Sequence, residues 1–265
     1  MTNPIIFDLT KLAPAIREQI EQGKYRDWFA RKPTKLLGMD GDAKTIKGNK
    51  KGFKTAILYL APANISGEQL CPLARLAQCE APCLFTAGRG AMSTVMLSRL
   101  WKTLFFQQYR EEFLALLAKE IKAYEAKAAK EDFELLVRLN GTSDIRWENY
   151  GIIQAFPNVT FYDYSKIVNR KNIPANYDLT FSYSGVAGFA HFNKMAAEAG
   201  MRIAVVFDSR KTAEHYMATG FMGLQTVDGD DTDIRHLDPM GSVVALYAKG
   251  KAKKDTSGFV VRMAA

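Results

Sequence analysis

Residues 201–209, MRIAVVFDS, carry apolar side chains on both faces of an extended segment and then stop on two polar residues. A strand that is apolar on both sides belongs inside a sheet covered on both sides, which is the habit of parallel strands. Working outward, six further runs share the pattern: TAILYLAPA (55–63), FELLVRLN (133–140), VTFYDYS (159–165), YDLTFSYS (177–184), LQTVDG (224–229) and VVALYAKG (243–250). Helix-compatible stretches lie between them: a long region from about Ser93 to Lys130 broken near Lys102–Phe105, then Trp147–Phe156, His191–Ala199 and Thr212–Thr219. This alternation predicts an α/β protein, a TIM-like (β/α) barrel, complete or partial. An open doubly wound sheet is the main alternative, although no G-x-G-x-x-G opens a helix to support it.

Two parts are expected. Residues 1–52 read as a basic N-terminal extension, with a short amphipathic helix inside 9–22 (Leu12, Ile16 and Ile20 on one face) followed by a loop rich in glycine and lysine. Residues 53–265 form the barrel-like domain. At 48% hydrophobic over 265 residues, the chain can bury a large core. The N-terminus lacks the pattern of a signal peptide, and no run approaches the roughly 20 apolar residues of a membrane span. A soluble, cytoplasmic protein with no membrane partner is expected, its oligomeric state unspecified.

The formal net charge is +8. Arg31, Lys32, Lys35, Lys44, Lys47, Lys50, Lys51 and Lys54 concentrate it near the N-terminus, and Lys249, Lys251, Lys253 and Lys254 form a second run. Such surfaces attract polyanions, so a nucleotide or nucleic acid is the expected partner, against the plain reading of a solvated surface.

All three cysteines, Cys71, Cys79 and Cys83, fall in LCPLARLAQCEAPCLFTAGRGAM. An odd number without an export signal argues against a disulfide framework, and thiolates gathered in a reducing compartment are the raw material of a metal site. A structural zinc needs a fourth ligand from His191, His215 or His236, none of which sits in a ligand pair. A four-iron cluster on three cysteines needs none, because it leaves one iron open to a small molecule. Three unligated thiols are the remaining reading.

Polar residues close most of the strands: Asn140, Thr142 and Asp144; Asp163 and Lys166; Ser182; Asp208; Asp228; Lys249. In a parallel barrel the carboxyl ends converge on one face, where active sites are built, and the cysteine loop follows a strand onto that face. Each of these residues taken singly also reads as a helix cap or a turn residue.

The motifs KTAILYLAPANISG, CPLA with its two later cysteines and TAGRG, VRLNGTSDIRWE, FYDYSK, LTFSYS, VDGDD and KGKAKKDTSGFVV resemble a phage-encoded family without an assigned reaction that looks radical-SAM-like. The likeness runs from about Gly48 to Val261. It implies a barrel-like fold, a four-iron cluster held by Cys71, Cys79 and Cys83, and S-adenosylmethionine as a second cofactor. The C-x7-C-x3-C spacing departs from the C-x3-C-x2-C of orthodox radical-SAM enzymes. By the same analogy Asp144, Asp163 and Lys166 are the catalytic candidates. Asn140, Thr142, Ser182, Asp228 and Arg89 are the candidates for binding cofactor or substrate.

The leading expectation is therefore a radical-SAM-like iron–sulfur enzyme acting on a nucleotide or nucleic acid. The alternative is a nucleic-acid-binding protein in which a metal or cluster braces a loop. A divalent-metal hydrolase built on Asp144, Asp163, Asp208, Asp228 and Asp230 comes last, because it gives the cysteines nothing to do.

Overall fold

The computed structural model describes residues 5–39 and 43–263. Eight strands form one sheet: β1 (Leu37–Met39), β2 (Phe53–Leu58), β3 (Glu134–Arg138), β4 (Thr160–Ser165), β5 (Tyr177–Ser182), β6 (Ile203–Phe207), β7 (Thr226–Asp228) and β8 (Val243–Tyr247). Their order is β1-β2-β3-β4-β5-β6-β8-β7. Only β1 runs antiparallel to its neighbour; every other pairing is parallel.

The α/β class and all seven expected strands are present, but the sheet is not closed into a barrel. Its edges, β1 and β7, are three residues each and pair only with β2 and β8. Closure needs full-length strands in a continuous stagger, and two short edges, one of them antiparallel, cannot supply it.

The two faces of the sheet differ. Helices α3 (Ser93–Gln108) and α4 (Arg110–Glu131) lay Leu97, Leu100, Leu104, Phe113, Leu117 and Ile121 against Ala56, Leu58, Val137 and Phe161. Farther along the same face, Ala196 of α5 (Ala190–Glu198) and Ala213 of α6 (Arg210–Thr219) join Phe181, Ile203, Val205 and Val243. The opposite face is covered by chain with little regular structure: Ile234 sits on Leu136 and Tyr162, while Ala248, Ala252, Phe259 and Val260 cluster against Val206. That second face is also polar. Arg138 pairs with Asp233 at 2.8 Å, and the hydroxyls of Tyr162 and Tyr164 donate to the same carboxylate. Burial lowers the Arg138 basicity, but Asp233, Tyr164, Tyr162 and Tyr59 together raise it further.

The N-terminal segment is packed into the main core. Ile5, Phe7, Leu12, Ile20, Phe29 and Leu36 belong to the cluster that holds α3 and α4. The expected N-terminal helix is α1 (Pro14–Glu21), and a further helix, α2 (Ala43–Asn49), lies where the sequence reads as loop. The long helical region breaks at Tyr109, between α3 and α4, rather than near Lys102–Phe105. Trp147–Phe156 forms only a 3-10 turn over Trp147–Tyr150, which ends at Gly151 in the left-handed region. Buried Trp147 donates from Nε1 to Asn140 Oδ1 at 3.1 Å, and the Arg170 guanidinium grips Glu148, so side chains hold this segment where a helical backbone was expected.

Asp163, a catalytic candidate, shares the helix-covered face with Phe161. Its carboxylate accepts the backbone N–H of Asn140 at 2.8 Å and the hydroxyl of Tyr177 at 2.9 Å. Burial pushes its carboxyl up to about 7, against the pull of Arg138 and these donors. A carboxyl raised on folding stabilises most while it is protonated in both states. Its contribution then falls as pH rises from about 4, where the unfolded chain ionises, to about 7, where the folded one does. Urea unfolding of Asp163→Asn beside the parent at several pH values should therefore show the parent's advantage shrinking between pH 4 and 7 and level above.

Candidate functional site

The loop between β2 and α3 carries the cysteines, and the loop after β3 pins it down. Gly141 N–H donates to Leu58 O at 3.0 Å, the Thr142 hydroxyl to Leu60 O, and Asp144 N–H to Leu70 O at 2.9 Å. A Cβ on Gly141 would stand 2.7 Å from Leu58 O and from the Tyr59 ring, so glycine alone lets the two segments cross this closely. The crossing brings the Cys71 sulfur to 3.8 Å from the Thr142 carbonyl oxygen. A tight turn follows Cys71, with Ala74 N–H donating to Cys71 O and Cys79 N–H to Ala74 O, each at 3.0 Å. The Ser184 hydroxyl then ties Ala77 O to the end of β5 at 2.8 Å. Cys83 heads a 3-10 turn, Leu84–Thr86, where Thr86 donates both its N–H and its hydroxyl to Cys83 O.

The three thiols are close enough to influence one another electrostatically. Burial pushes Cys71 up to about 12, and Cys83, Asp144 and Cys79 push it the same way. Cys79 and Cys83 are also raised, chiefly by burial, against the pull of Lys166 on both. Opposing backbone N–H groups face the sulfurs: Ala63 for Cys71, the residue's own N–H for Cys79, and Phe85 and Leu84 for Cys83. A neutral thiol gains little from such donors; a thiolate or a metal-bound sulfur gains much.

Two buried cations stand beside the sulfurs. Lys166, one residue past β4, donates from Nζ to Ser182 O at 3.0 Å, Ser182 Oγ at 3.1 Å and Tyr183 O at 3.3 Å. All three acceptors are neutral. The ammonium lies 5.3 and 5.0 Å from the ring centroids of Phe189 and Phe259, and burial lowers its pKa while Cys79, Asp144, Cys83 and Cys71 raise it. Arg99 of α3 is 8% exposed, lies 5.0 Å from the Tyr59 ring centroid and is coupled to Cys83. Its Nε and Nη1 are buried with no hydrogen-bond partner among the described residues. Neither cation has a carboxylate within ion-pair distance among the described residues.

Asp144 joins this group. It accepts Ser165 Oγ at 2.8 Å and the Lys166 backbone N–H at 2.9 Å, with Arg170 at 3.8 Å, and burial raises its pKa. Asn140 is spent on its own loop: Oδ1 accepts from Ser143, Ile145 and Trp147, while Nδ2 donates to Ile145 O. The structure thus gathers Cys71, Cys79, Cys83, Thr142, Asp144, Lys166 and Ser182. It leaves Asp163 on the helix-covered face, Arg89 exposed, and Asp228 exposed on edge strand β7, accepting only Asp230 N–H. Sequence reasoning missed Arg99, whose one signal was a cation, with Lys102, inside the largely apolar stretch VMLSRLWKTLFF.

Among the described residues, no three or more His, Cys, Asp or Glu form a group able to hold a metal ion. A groove of about 380 Å³ is lined by Tyr183, Gly185, Asp255, Gly258, Val260 and Arg262, and no candidate site residue lines it. No helix among the described residues is long and apolar enough to cross a membrane.

The family model described as gene product 88 matches residues 34–263, and the chain belongs to that phage-type family. No curated protein and no solved structure matches the chain. The family match agrees with the phage-encoded family expected from the motifs; it carries no radical-SAM likeness.

Replacing Lys166 by Met removes a cation that favours the Cys79 thiolate. Iodoacetamide labelling at pH 8, read by mass spectrometry, should slow severalfold at Cys79 in Lys166→Met relative to the parent. An unchanged rate contradicts their proximity.

Proposed function

We propose that this member of the gene product 88 family is a radical-SAM-like iron–sulfur enzyme, with a four-iron cluster on Cys71, Cys79 and Cys83 and a nucleotide or nucleic acid as its substrate. One observation carries the reading: three sulfurs from one loop share an electrostatic neighbourhood with backbone N–H donors and two buried cations that lack carboxylate partners. Burying Lys166 and Arg99 without a counter-ion is costly, and thiolates holding a net anionic group would offset that cost. A four-iron cluster needs only three cysteines from the chain, whereas a structural zinc needs a fourth protein ligand.

When bound, such a cluster supplies one-electron transfer, and with S-adenosylmethionine at its open iron it supplies radical chemistry. The chain's own residues bind, orient and exclude water. Cys71, Cys79 and Cys83 are the ligands. Lys166, fixed by Ser182 and Tyr183, holds positive charge beside them, and Asp144 anchors the Lys166 backbone. Phe189 and Phe259 keep water from the ammonium. Thr142 and Ser182 offer oxygens at the rim, and the groove beside Tyr183 is of a size that takes a small molecule.

Anaerobic purification with iron and sulfide counts tests the cluster. The reading expects a brown protein with about four irons per chain, reduced to less than half by Cys79→Ser. A colourless preparation holding only zinc, or no metal, contradicts it. Formation of 5′-deoxyadenosine from S-adenosylmethionine under reducing conditions then separates the enzyme from a protein whose cluster only braces a loop.

A further inference from the structure

The chain has two runs of lysine, and the structure treats them differently. Near the N-terminus, Lys11, Lys32, Lys51 and Lys54 pair with Glu68, Glu112, Asp231 and Glu131, and Lys47 donates to Asp230 O at 3.2 Å. Much of that charge is met inside the molecule. In the second run Lys249 pairs with Asp230 at 2.7 Å, whereas Lys251, Lys253 and Lys254, in a 3-10 turn over Gly250–Lys254, are exposed and form no ion pair or side-chain hydrogen bond among the described residues.

This turn is clamped onto the cysteine loop. Lys251 N–H donates to Thr86 Oγ1 at 3.3 Å, three residues beyond Cys83. Gly250 has φ +55°, and a Cβ there would stand 2.9 Å from Ala87, so the two segments touch through backbone. Arg89, on the same loop, is exposed and likewise has no carboxylate within ion-pair distance among the described residues. Uncompensated positive charge therefore borders the segment that carries the sulfurs, although exposed Arg31, Lys35 and Lys50 near the N-terminus also form no ion pair among the described residues.

We propose that Lys251, Lys253, Lys254 and Arg89 form a docking surface for the phosphate backbone of a nucleic acid, delivering it to the cysteine site. The assignment of that site rests on the reading above; the binding surface stands without it. Lys251 and Lys254 are one 3-10 turn apart, about 6 Å of rise. Flexible ammonium groups at that spacing follow a string of phosphates without reading its sequence. With the chain at +8, association is steered by long-range attraction.

The test is fluorescence anisotropy of the full chain with a labelled single-stranded 20-nucleotide DNA and its RNA counterpart, across a salt series. The triple variant Lys251→Gln/Lys253→Gln/Lys254→Gln should bind at least tenfold more weakly, and its salt slope should drop by about 2–3. The double variant Lys47→Gln/Lys51→Gln should stay within about twofold of the parent. Thermal melting confirms that both variants fold. Parent-like binding by the triple variant, a larger loss in the double variant, or no binding of either strand by the parent overturns the proposal. Binding of an acidic polypeptide such as polyglutamate as tightly as nucleic acid also overturns it. Iron content is read separately: a metal-free protein that binds through these lysines refutes the cluster and keeps the surface, and the reverse result does the opposite.

Discussion

A buried ammonium with only neutral acceptors is the constraint that the rest of the site answers to. Lys166 leaves β4 at the carboxyl edge of the sheet, and three oxygens from Ser182 and Tyr183 accept its hydrogen bonds. None of them carries charge. Proteins seldom bury a cation this way unless a negative group completes the site. The side chains facing it are three thiols, neutral while protonated, and Asp144, whose own protonation is favoured by burial. Arg99 repeats the imbalance from the helix side. Under the proposed reading, thiolates holding a metal group would balance this charge and join the cysteines, the lysine and the arginine in one site.

The surrounding architecture serves the same end. Helices crowd one face of the sheet, so the strands can hold polar residues on the other without exposing the core. There Arg138, Asp233, Tyr162 and Tyr164 form a largely buried network toward the carboxyl ends of β3 and β4. On the helix side, Asp163 binds the start of the loop after β3, and Asn140 organises the rest of it. That loop in turn fixes Cys71 through Thr142. Rigid strands, a self-bonded loop and the cysteine segment form a continuous chain of contacts from the core to the sulfurs.

Much of this was legible in the sequence. The seven expected strands read as runs rich in apolar residues, and their polar ends marked the edge of the sheet that the cysteine loop follows. Strand β1 was not legible: it is three residues long, and its N-terminal end is held by Glu120, whose carboxylate accepts Leu36 and Leu37 N–H from across the core. Closure of the barrel failed for a similar reason, since short edge strands carry no periodicity. Asp144 and Asp163 look alike on paper, each a carboxylate at a strand end. Strand parity turns Asp163 to the helix side, while a loop crossing carries Asp144 to Lys166. Arg99 reads, like Lys102, as a charge in a largely apolar helix until packing sets it beside Tyr59 and in electrostatic reach of Cys83. The basic N-terminal segment drew attention through composition, yet its acidic partners come from distant parts of the chain that no local window contains.

Iron-edge anomalous diffraction from crystals grown without oxygen tests the central claim most directly. The account predicts one compact iron peak within bonding distance of the sulfurs of Cys71, Cys79 and Cys83, with the Lys166 ammonium beside it. Bare thiols turned away from one another, or anomalous density elsewhere in the molecule, would contradict it.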